Sequence, residues 1–153
     1  MNILMVCLGN ICRSPLAQGI LEDLIWRHQL DWKVDSAGTS SFHSGHKPDI
    51  RSRDIAAAHG INITSQRARQ FKQDDFYAFD LILAMDSSNY QKILALAPDD
   101  SYKNKVELIL NISTPNKNKS VPDPYYHGGF EHVYRLLSES CDKLVRTRAA
   151  ARV

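Results

Sequence analysis

The chain has 153 residues, 43 % of them hydrophobic and 24 % charged, enough for one soluble globular domain with its own core and too few for two ordinary ones. Its 19 basic and 17 acidic residues leave a formal net charge of +2, a near balance that argues against a nucleic-acid or other general polyanion binder. No stretch approaches the roughly 20 apolar residues of a membrane span, Met1 and Asn2 lead into Ile3 without a signal peptide's basic n-region, and three cysteines do not make a disulfide framework. A reduced cytoplasmic setting with no membrane association is the expectation.

The first predicted element is a strand, because Ile3 to Val6 is an unbroken apolar run of the kind buried on both faces of a parallel sheet. A helix follows, with Leu16, Ala17, Ile20, Leu21, Leu24 and Ile25 recurring on one face, Pro15 in its first turn and Ser14 as its N-cap. Trp32 to Asp35 reads as a second strand. A second helix runs from near Pro48 to His59 and stops at Gly60. Leu81 to Met85 is a third strand, and the helix after it is capped by Asp86 and ends before Pro98. Val106 to Leu110 is a fourth strand, Ser113 to Ser120 a polar surface loop, and a last helix covers Phe130 to Val145. On that helix Phe130, Val133, Tyr134, Leu137, Cys141 and Leu144 form a stripe, while Lys143, Arg146, Arg148 and Arg152 read as solvated cations that complement a helix C-terminus. Alternating strands and helices predict a single α/β domain over residues 1–153, with a parallel sheet and helices on both faces.

Open parallel sheets bind ligands beyond the carboxyl ends of their strands, which directs attention to Cys7 to Arg13, Ser36 to Phe42, Asp86 to Asn89 and the segment around Asp123; the strongest signal is Cys7-Leu8-Gly9-Asn10-Ile11-Cys12-Arg13-Ser14, between the first strand and the first helix. A loop wrapped there with its backbone N–H groups inward makes an anion nest, reinforced by the helix N-terminus. Gly9 and Asn10 are residue types that tolerate the left-handed backbone such wrapping requires. Arg13 offers a planar fork for two phosphate oxygens, and the surroundings favour thiolate over thiol at Cys7. Thiolate, nest and guanidinium together suit in-line attack on a phosphate monoester, with Ser14 hydrogen-bonded to the sulfur. The plainer reading of Cys7 as a strand-end filler leaves Gly9, Asn10, Arg13 and Ser14 unexplained. A zinc reading of Cys7 and Cys12 lacks a second pair and sets Arg13 against the ion.

Expelling a tyrosine phenolate calls for a proton donor. The best carboxylate is Asp123 in Val121-Pro122-Asp123-Pro124-Tyr125-Tyr126, stiffened by a proline on each side. Tyr125 and Tyr126 are placed to wall a slot for an aromatic ring. By itself the segment would read as an exposed turn.

These residues resemble the low-molecular-weight protein tyrosine phosphatase family, whose signature is an N-terminal Cys-x5-Arg-Ser loop and a late Asp-Pro. The likeness extends to Asp35-Ser36-Ala37-Gly38-Thr39, to Gly45 with Asp49 and Arg51, to His59-Gly60-Ile61, to Arg67-Ala68-Arg69-Gln70, and to Phe79 through Asp86 with Asn89. The resemblance implies a four-stranded parallel sheet, no metal or other cofactor, Cys7 as nucleophile, Arg13 as phosphate clamp and Asp123 as general acid. It implies that Leu8, Gly9, Asn10, Ile11, Cys12 and Ser14 form the phosphate loop, with Asn10 holding its geometry and Ser14 orienting the thiolate. Leu8, Phe42 and Tyr125 then line the aromatic slot. Cys12 corresponds to a family cysteine that forms a reversible disulfide with the nucleophile. Phosphotyrosine proteins are the implied substrates, and inorganic phosphate or vanadate the implied small ligands.

The wording Ser36-Ala37-Gly38-Thr39 is closer to bacterial members, Phe42 stands where animal enzymes have Trp, and Gln66 where many members have His. Protein-arginine phosphatases share the loop but tend to carry Thr at the place of Ile11, whose branched apolar side chain suits a ring better than a guanidinium. Arsenate reductases of this fold need two further relay cysteines. Only Cys141 remains, at a core position of the last helix. A module that merely binds phosphotyrosine would not need both nucleophile and proton donor.

Overall fold

The run Ile3 to Val6 has no polar face to turn to water, so it must lie in the middle of the molecule. In the computed structural model, which describes residues 1–149, it is the core of strand β1 (Asn2–Cys7), hydrogen-bonded on both sides. The other strands are β2 (Lys33–Gly38), β3 (Leu81–Ala84) and β4 (Val106–Leu108), and the sheet order is β2-β1-β3-β4 with every pairing parallel. The order reverses beside β1. The ends of β1 and β3 therefore flank the switch point where such sheets bind ligands.

Alternation along β1 sends its side chains into two cores. Ile3, Met5 and Cys7 pack with Leu16, Leu21, Leu137 and Cys141 on one face, whereas Leu4 and Val6 pack with Phe71, Phe76 and Ile93 on the other. The first face is covered by α1 (Arg13–Arg27), α2 (Ile50–Ala58) and α7 (Phe130–Leu144), the second by α3 (Asp75–Ala78) and α4 (Ser87–Ala95). Two further one-turn helices, α5 (Leu110–Ser113) and α6 (Pro124–His127), complete the chain, with a 3-10 turn at Asp100–Lys105 and a π-turn at Val145–Ala149. The α/β class, the four parallel strands and the helices on both faces are as the sequence led us to expect. Among the described residues no helix is long and apolar enough to cross a membrane.

Some boundaries differ. The N-cap of α1 is Cys12, and Ser14 is the second residue of the helix, its hydroxyl directed to the Cys7 sulfur rather than to a helix N–H. Strand β2 extends to Gly38 and β4 stops at Leu108, because Leu110 already begins α5. Asp49 caps α2 and Asp86 caps α4, accepting from Arg51 N and Asn89 N respectively. Of the C-terminal cations, Arg146 pairs with Asp142 and Arg148 grips both carboxylate oxygens of Glu107 at 2.9 Å; Arg152 lies outside the described residues.

Candidate active site

Between β1 and α1 the chain turns in five residues, and its carbonyls are taken up from outside. Cys7 O and Leu8 O accept from Thr39 N and Ser40 N at 2.9 Å, Ile11 O accepts from Asp49 N at 2.8 Å, and Cys12 O accepts from Ser52 Oγ at 2.7 Å. With the carbonyls turned outward, the N–H groups are left for the inside of the loop. Asn10 N reaches Cys7 Sγ at 3.3 Å. Asn10 makes the turn possible with φ of +57°, the left-handed conformation that asparagine tolerates better than most residues. Gly38, at the end of β2, lies against the same loop: a Cβ there would stand 2.7 Å from Leu8 O and 3.1 Å from Asn10 N. Any side chain at 38 would push the loop open.

Cys7 Sγ and Ser14 Oγ are 3.0 Å apart, both buried. Asn10 Nδ2 donates to Ser14 Oγ at 2.8 Å and to Ser36 Oγ at 2.9 Å, while Asn10 Oδ1 accepts from Arg69 N at 3.0 Å. Asn10 and Ser14 thus stand behind the loop. Arg13 is 2 % exposed yet charged, and such burial demands partners. Its Nη1 donates to Asp86 Oδ2 at 2.8 Å and to Val121 O at 3.0 Å, and its Nη2 lies 3.6 Å from Asp123 Oδ2.

Above this floor opens a cleft of about 340 Å³, bounded by Cys7, Leu8, Gly9, Ile11, Cys12 and Arg13 below and by Ser40, Phe42, His43, Asp123, Tyr125 and Tyr126 on its walls. Asp123 is the one carboxylate in that wall among the described residues, held by Tyr125 N donating to its Oδ1 at 3.0 Å. The rim is aromatic: Phe42 meets His43 edge-on at 4.8 Å between centroids, and Tyr125 meets Tyr126 in the same manner at 4.9 Å. Arg51, from the first turn of α2, ties down the Asp123 segment by donating from Nη1 to Tyr125 O at 3.1 Å.

The residues singled out for the loop, the proton donor and the slot therefore line one cleft, apart from Asn10 and Ser14, which stand behind the loop. Sequence reasoning missed His43 in the wall; Ser40 and Asp86 fall in segments it had indicated, though with no part assigned to Ser40 and none beside Arg13 to Asp86. His43 follows Phe42 directly, but nothing in its neighbourhood in the sequence marks a histidine as facing a cleft. The Cys12 thiol is pushed up to about 12, first by burial and then by Asp49, Cys7 and Asp123. Burial likewise raises the Cys141 thiol to about 12, and that residue lies in the core between α7 and α1. It is no relay thiol. Among the described residues no three His, Cys, Asp or Glu side chains are grouped as a metal ion would need. Gln66, at a position noted for histidine, donates from Nε2 to Pro15 O at 3.0 Å.

The model of the low molecular weight phosphotyrosine protein phosphatase family matches residues 2–152. A protein of Synechocystis, provisionally named a low molecular weight protein-tyrosine-phosphatase, is 48 % identical over 149 residues, covering 95 % of this chain and 94 % of its own. The crystal structure of a protein tyrosine phosphatase from Entamoeba histolytica superposes with a TM-score of 0.92 at 38 % identity, covering 100 % of this chain and 99 % of that one. A Drosophila arginine phosphatase superposes with a TM-score of 0.90 at 35 % identity, covering 97 % and 98 %.

Proposed function

The chain belongs to the low molecular weight phosphotyrosine protein phosphatase family, a family of hydrolases, and from that membership we propose that it removes phosphate from protein phosphotyrosine through a phosphocysteine on Cys7. The observation that carries the reading is the convergence of the Cys7 sulfur, the Arg13 guanidinium and the Asp123 carboxyl on one cleft.

Arg13 and the loop N–H groups hold the three non-bridging oxygens, and the ring lies between Leu8, Phe42 and Tyr125. The Cys7 sulfur attacks phosphorus in line, the bond to the tyrosine oxygen breaks, and Asp123 gives that oxygen its proton. Asp123, now a carboxylate, takes a proton from water as it attacks phosphorus. The S–P bond breaks, phosphate leaves, and Ser14 hydrogen-bonds the returning thiolate. The residues supply nucleophile, electrostatic stabilisation and proton donor, so no metal or other cofactor is required by the scheme. A thiolate nucleophile suits a reducing, cytoplasmic setting.

Ile11 in the cleft floor favours a flat ring over the polar guanidinium of phosphoarginine. The deciding experiment is turnover of a phosphotyrosine peptide and of phosphoarginine in the presence of a strong chelator. Hydrolysis of the tyrosine ester is expected, with phosphoarginine a poor substrate. Cys7→Ser should abolish turnover while phosphate or vanadate still binds. Wild-type turnover by Cys7→Ser, or activity lost to the chelator and restored by zinc, would overturn the scheme.

A further inference from the structure

The polar side chains behind Cys7 continue past Ser14 and Asn10. Ser36 Oγ donates to Gln18 Oε1 at 2.6 Å, and Gln18 Nε2 donates to Glu22 Oε1 at 2.8 Å. Asn10, Ser14, Gln18 and Ser36 are each no more than 8 % exposed, whereas Glu22 is on the surface of α1. Gln18 and Glu22 are four residues apart on that helix, the spacing that brings side chains together. A buried line of hydrogen bonds therefore joins a surface carboxylate to the sulfur.

The line has a direction. An ionised carboxylate only accepts, so Glu22 selects the amide orientation of Gln18 that turns nitrogen outward and carbonyl oxygen toward Ser36. Ser36, facing an acceptor, directs its single proton to Gln18 and offers a lone pair to Asn10. The Asn10 amide nitrogen then gives one hydrogen to Ser36 and the other to Ser14, its carbonyl being held by Arg69 N. Ser14 thus accepts from Asn10 and keeps its own proton, for which Cys7 Sγ at 3.0 Å and Ala37 O at 3.4 Å compete. A charged sulfur at the shorter distance is the better acceptor. Turned the other way, the Gln18 amide would set N–H against a Ser36 oxygen that already receives Asn10, and Ser36 would lose the acceptor for its own proton. Buried groups left so mismatched are costly.

We propose that Gln18 is a positioning residue for the nucleophile: held by Glu22, it takes the Ser36 proton and leaves Ser36 an acceptor, and together with Arg69 N on the Asn10 carbonyl it fixes the direction of proton donation through Asn10 and Ser14, so that the Ser14 hydroxyl hydrogen is presented to the Cys7 sulfur. The inference rests on the role of Cys7 given above. A neutral amide does this without a second negative charge in the buried line, which a carboxylate at 18 would introduce.

The test follows the rate of iodoacetate alkylation at Cys7 against pH, with the modified peptide mapped by mass spectrometry. The groups sharing the cleft with Cys7, namely Cys12, Arg13, His43 and Asp123, are untouched. Gln18→Met should move the pH of half-maximal rate upward by about half to one unit, the weight of one hydrogen bond. In a Ser36→Ala background, where the line is already cut between Gln18 and Asn10, Gln18→Met should add little or no further shift. Glu22→Lys should also move it upward, opposite to the downward shift an added positive charge alone would cause. A wild-type midpoint in Gln18→Met, whatever its melting temperature, overturns the proposal. So does an equal shift from Gln18→Met in the Ser36→Ala background, which would assign the effect to packing. Should Gln18→Met not fold, an unchanged or lowered midpoint in Glu22→Lys overturns it. Alkylation needs no substrate, so wild-type turnover of phosphotyrosine tests the enzymatic reading separately.

Discussion

Arg13 Nη1 and Asp86 Oδ2 stand 2.8 Å apart, and this contact joins the first turn of α1 to the second residue after β3. Asp86 also caps α4, its Oδ1 accepting from Asn89 N at 2.7 Å. One carboxylate thus aims the guanidinium and starts a helix, and it is already committed on both oxygens. It does not line the cleft.

Replacing Asp86 should therefore act through Arg13 and not through proton transfer. Asp86→Ala leaves a nearly fully buried guanidinium short of its closest charged partner, a change that costs on the order of 3–5 kcal/mol in buried pairs, with the lost cap adding about 1 kcal/mol. Asp86→Asn keeps one acceptor for two donors and should fall between. Urea unfolding measures the loss of stability. The Kd for inorganic phosphate should rise by about tenfold in Asp86→Asn, roughly one hydrogen bond's worth of ordering. Unchanged phosphate affinity would mean that Val121 O and Asp123 suffice to hold the fork.

Oxidation should be reversible but slow to resolve at neutral pH. Peroxide should oxidise Cys7 to a sulfenic acid, and Cys12, which lines the same cleft, is the candidate to displace hydroxide from that sulfur and form a disulfide. The attacking species is a thiolate, whereas the Cys12 thiol is pushed up to about 12. Burial is the largest cause and persists after oxidation, although the contribution of the Cys7 charge disappears. The rate of Cys7–Cys12 disulfide formation should thus rise by roughly tenfold per pH unit between neutral and mildly alkaline pH. Mass mapping after timed quenching reads it, and Cys12→Ser should make the damage harder to reverse with thiols. A pH-independent rate, or pairing of Cys7 with Cys141, would contradict this account.

Asp49 provides a pH signature of the loop's support. Its carboxylate accepts from Arg51 N, Nε and Nη2 at 2.9 to 3.0 Å, and the bonds to the Arg51 side chain, first among the causes, hold it below the usual carboxylate range. A depressed folded-state value contributes stability that is complete above the unfolded value near ~3.9 and is lost as pH falls through the folded one. Asp49→Asn keeps the cap of α2 but not the charge. Wild type should therefore melt above Asp49→Asn at pH 6, and the gap should close below about pH 4. A gap that persists in acid would assign the difference to packing.

The sheet and the place of the Cys7–Ser14 loop between β1 and α1 were legible in the sequence because their signals are physical requirements repeated along the chain. Ile3 to Val6 has no hydrophilic alternative, and Cys7 through Ser14 combine a nucleophile, a turn and a fixed cation within eight residues. What escaped reading lacks such redundancy. Helices α5 and α6 are single turns, too short to show a period. Ser14 carried two readings, as cap of α1 and as partner of the Cys7 sulfur, and the 3.0 Å contact with that sulfur decides between them. The glycine of Asp35-Ser36-Ala37-Gly38-Thr39 was recognisable by resemblance alone; its reason, the approach of the Leu8 carbonyl, is a contact between segments thirty residues apart. His43 entered the cleft wall unannounced, because the 43–46 segment is placed by backbone bonds to Ala68 from Gly45 N and to His46 O from Ala68 N, which no local pattern encodes.

The Asp123 carboxyl lines the cleft, 3.6 Å from Arg13 Nη2, and the proton-donor role proposed for it has a kinetic signature that a merely structural role lacks. A general acid matters most when the leaving oxygen is strongly basic, because there the developing charge is largest. Asp123→Ala should lower kcat/KM by a factor that grows with the pKa of the leaving group, large for phosphotyrosine and small for activated nitrophenyl esters. The comparison belongs on kcat/KM, which reports steps up to the first irreversible one. The value of kcat can instead be set by hydrolysis of the phosphocysteine, whatever alcohol has departed. General acids typically contribute about 10²–10⁴-fold, so the trend should stand clear of experimental error. An equal loss across the series would mean that Asp123 only shapes the segment that Tyr125 N and Arg51 hold in place. A normal rate with phosphotyrosine would move the role to another group in the cleft. His43 would then be the residue to replace, since Asp86 is occupied by Arg13 and by the helix it caps.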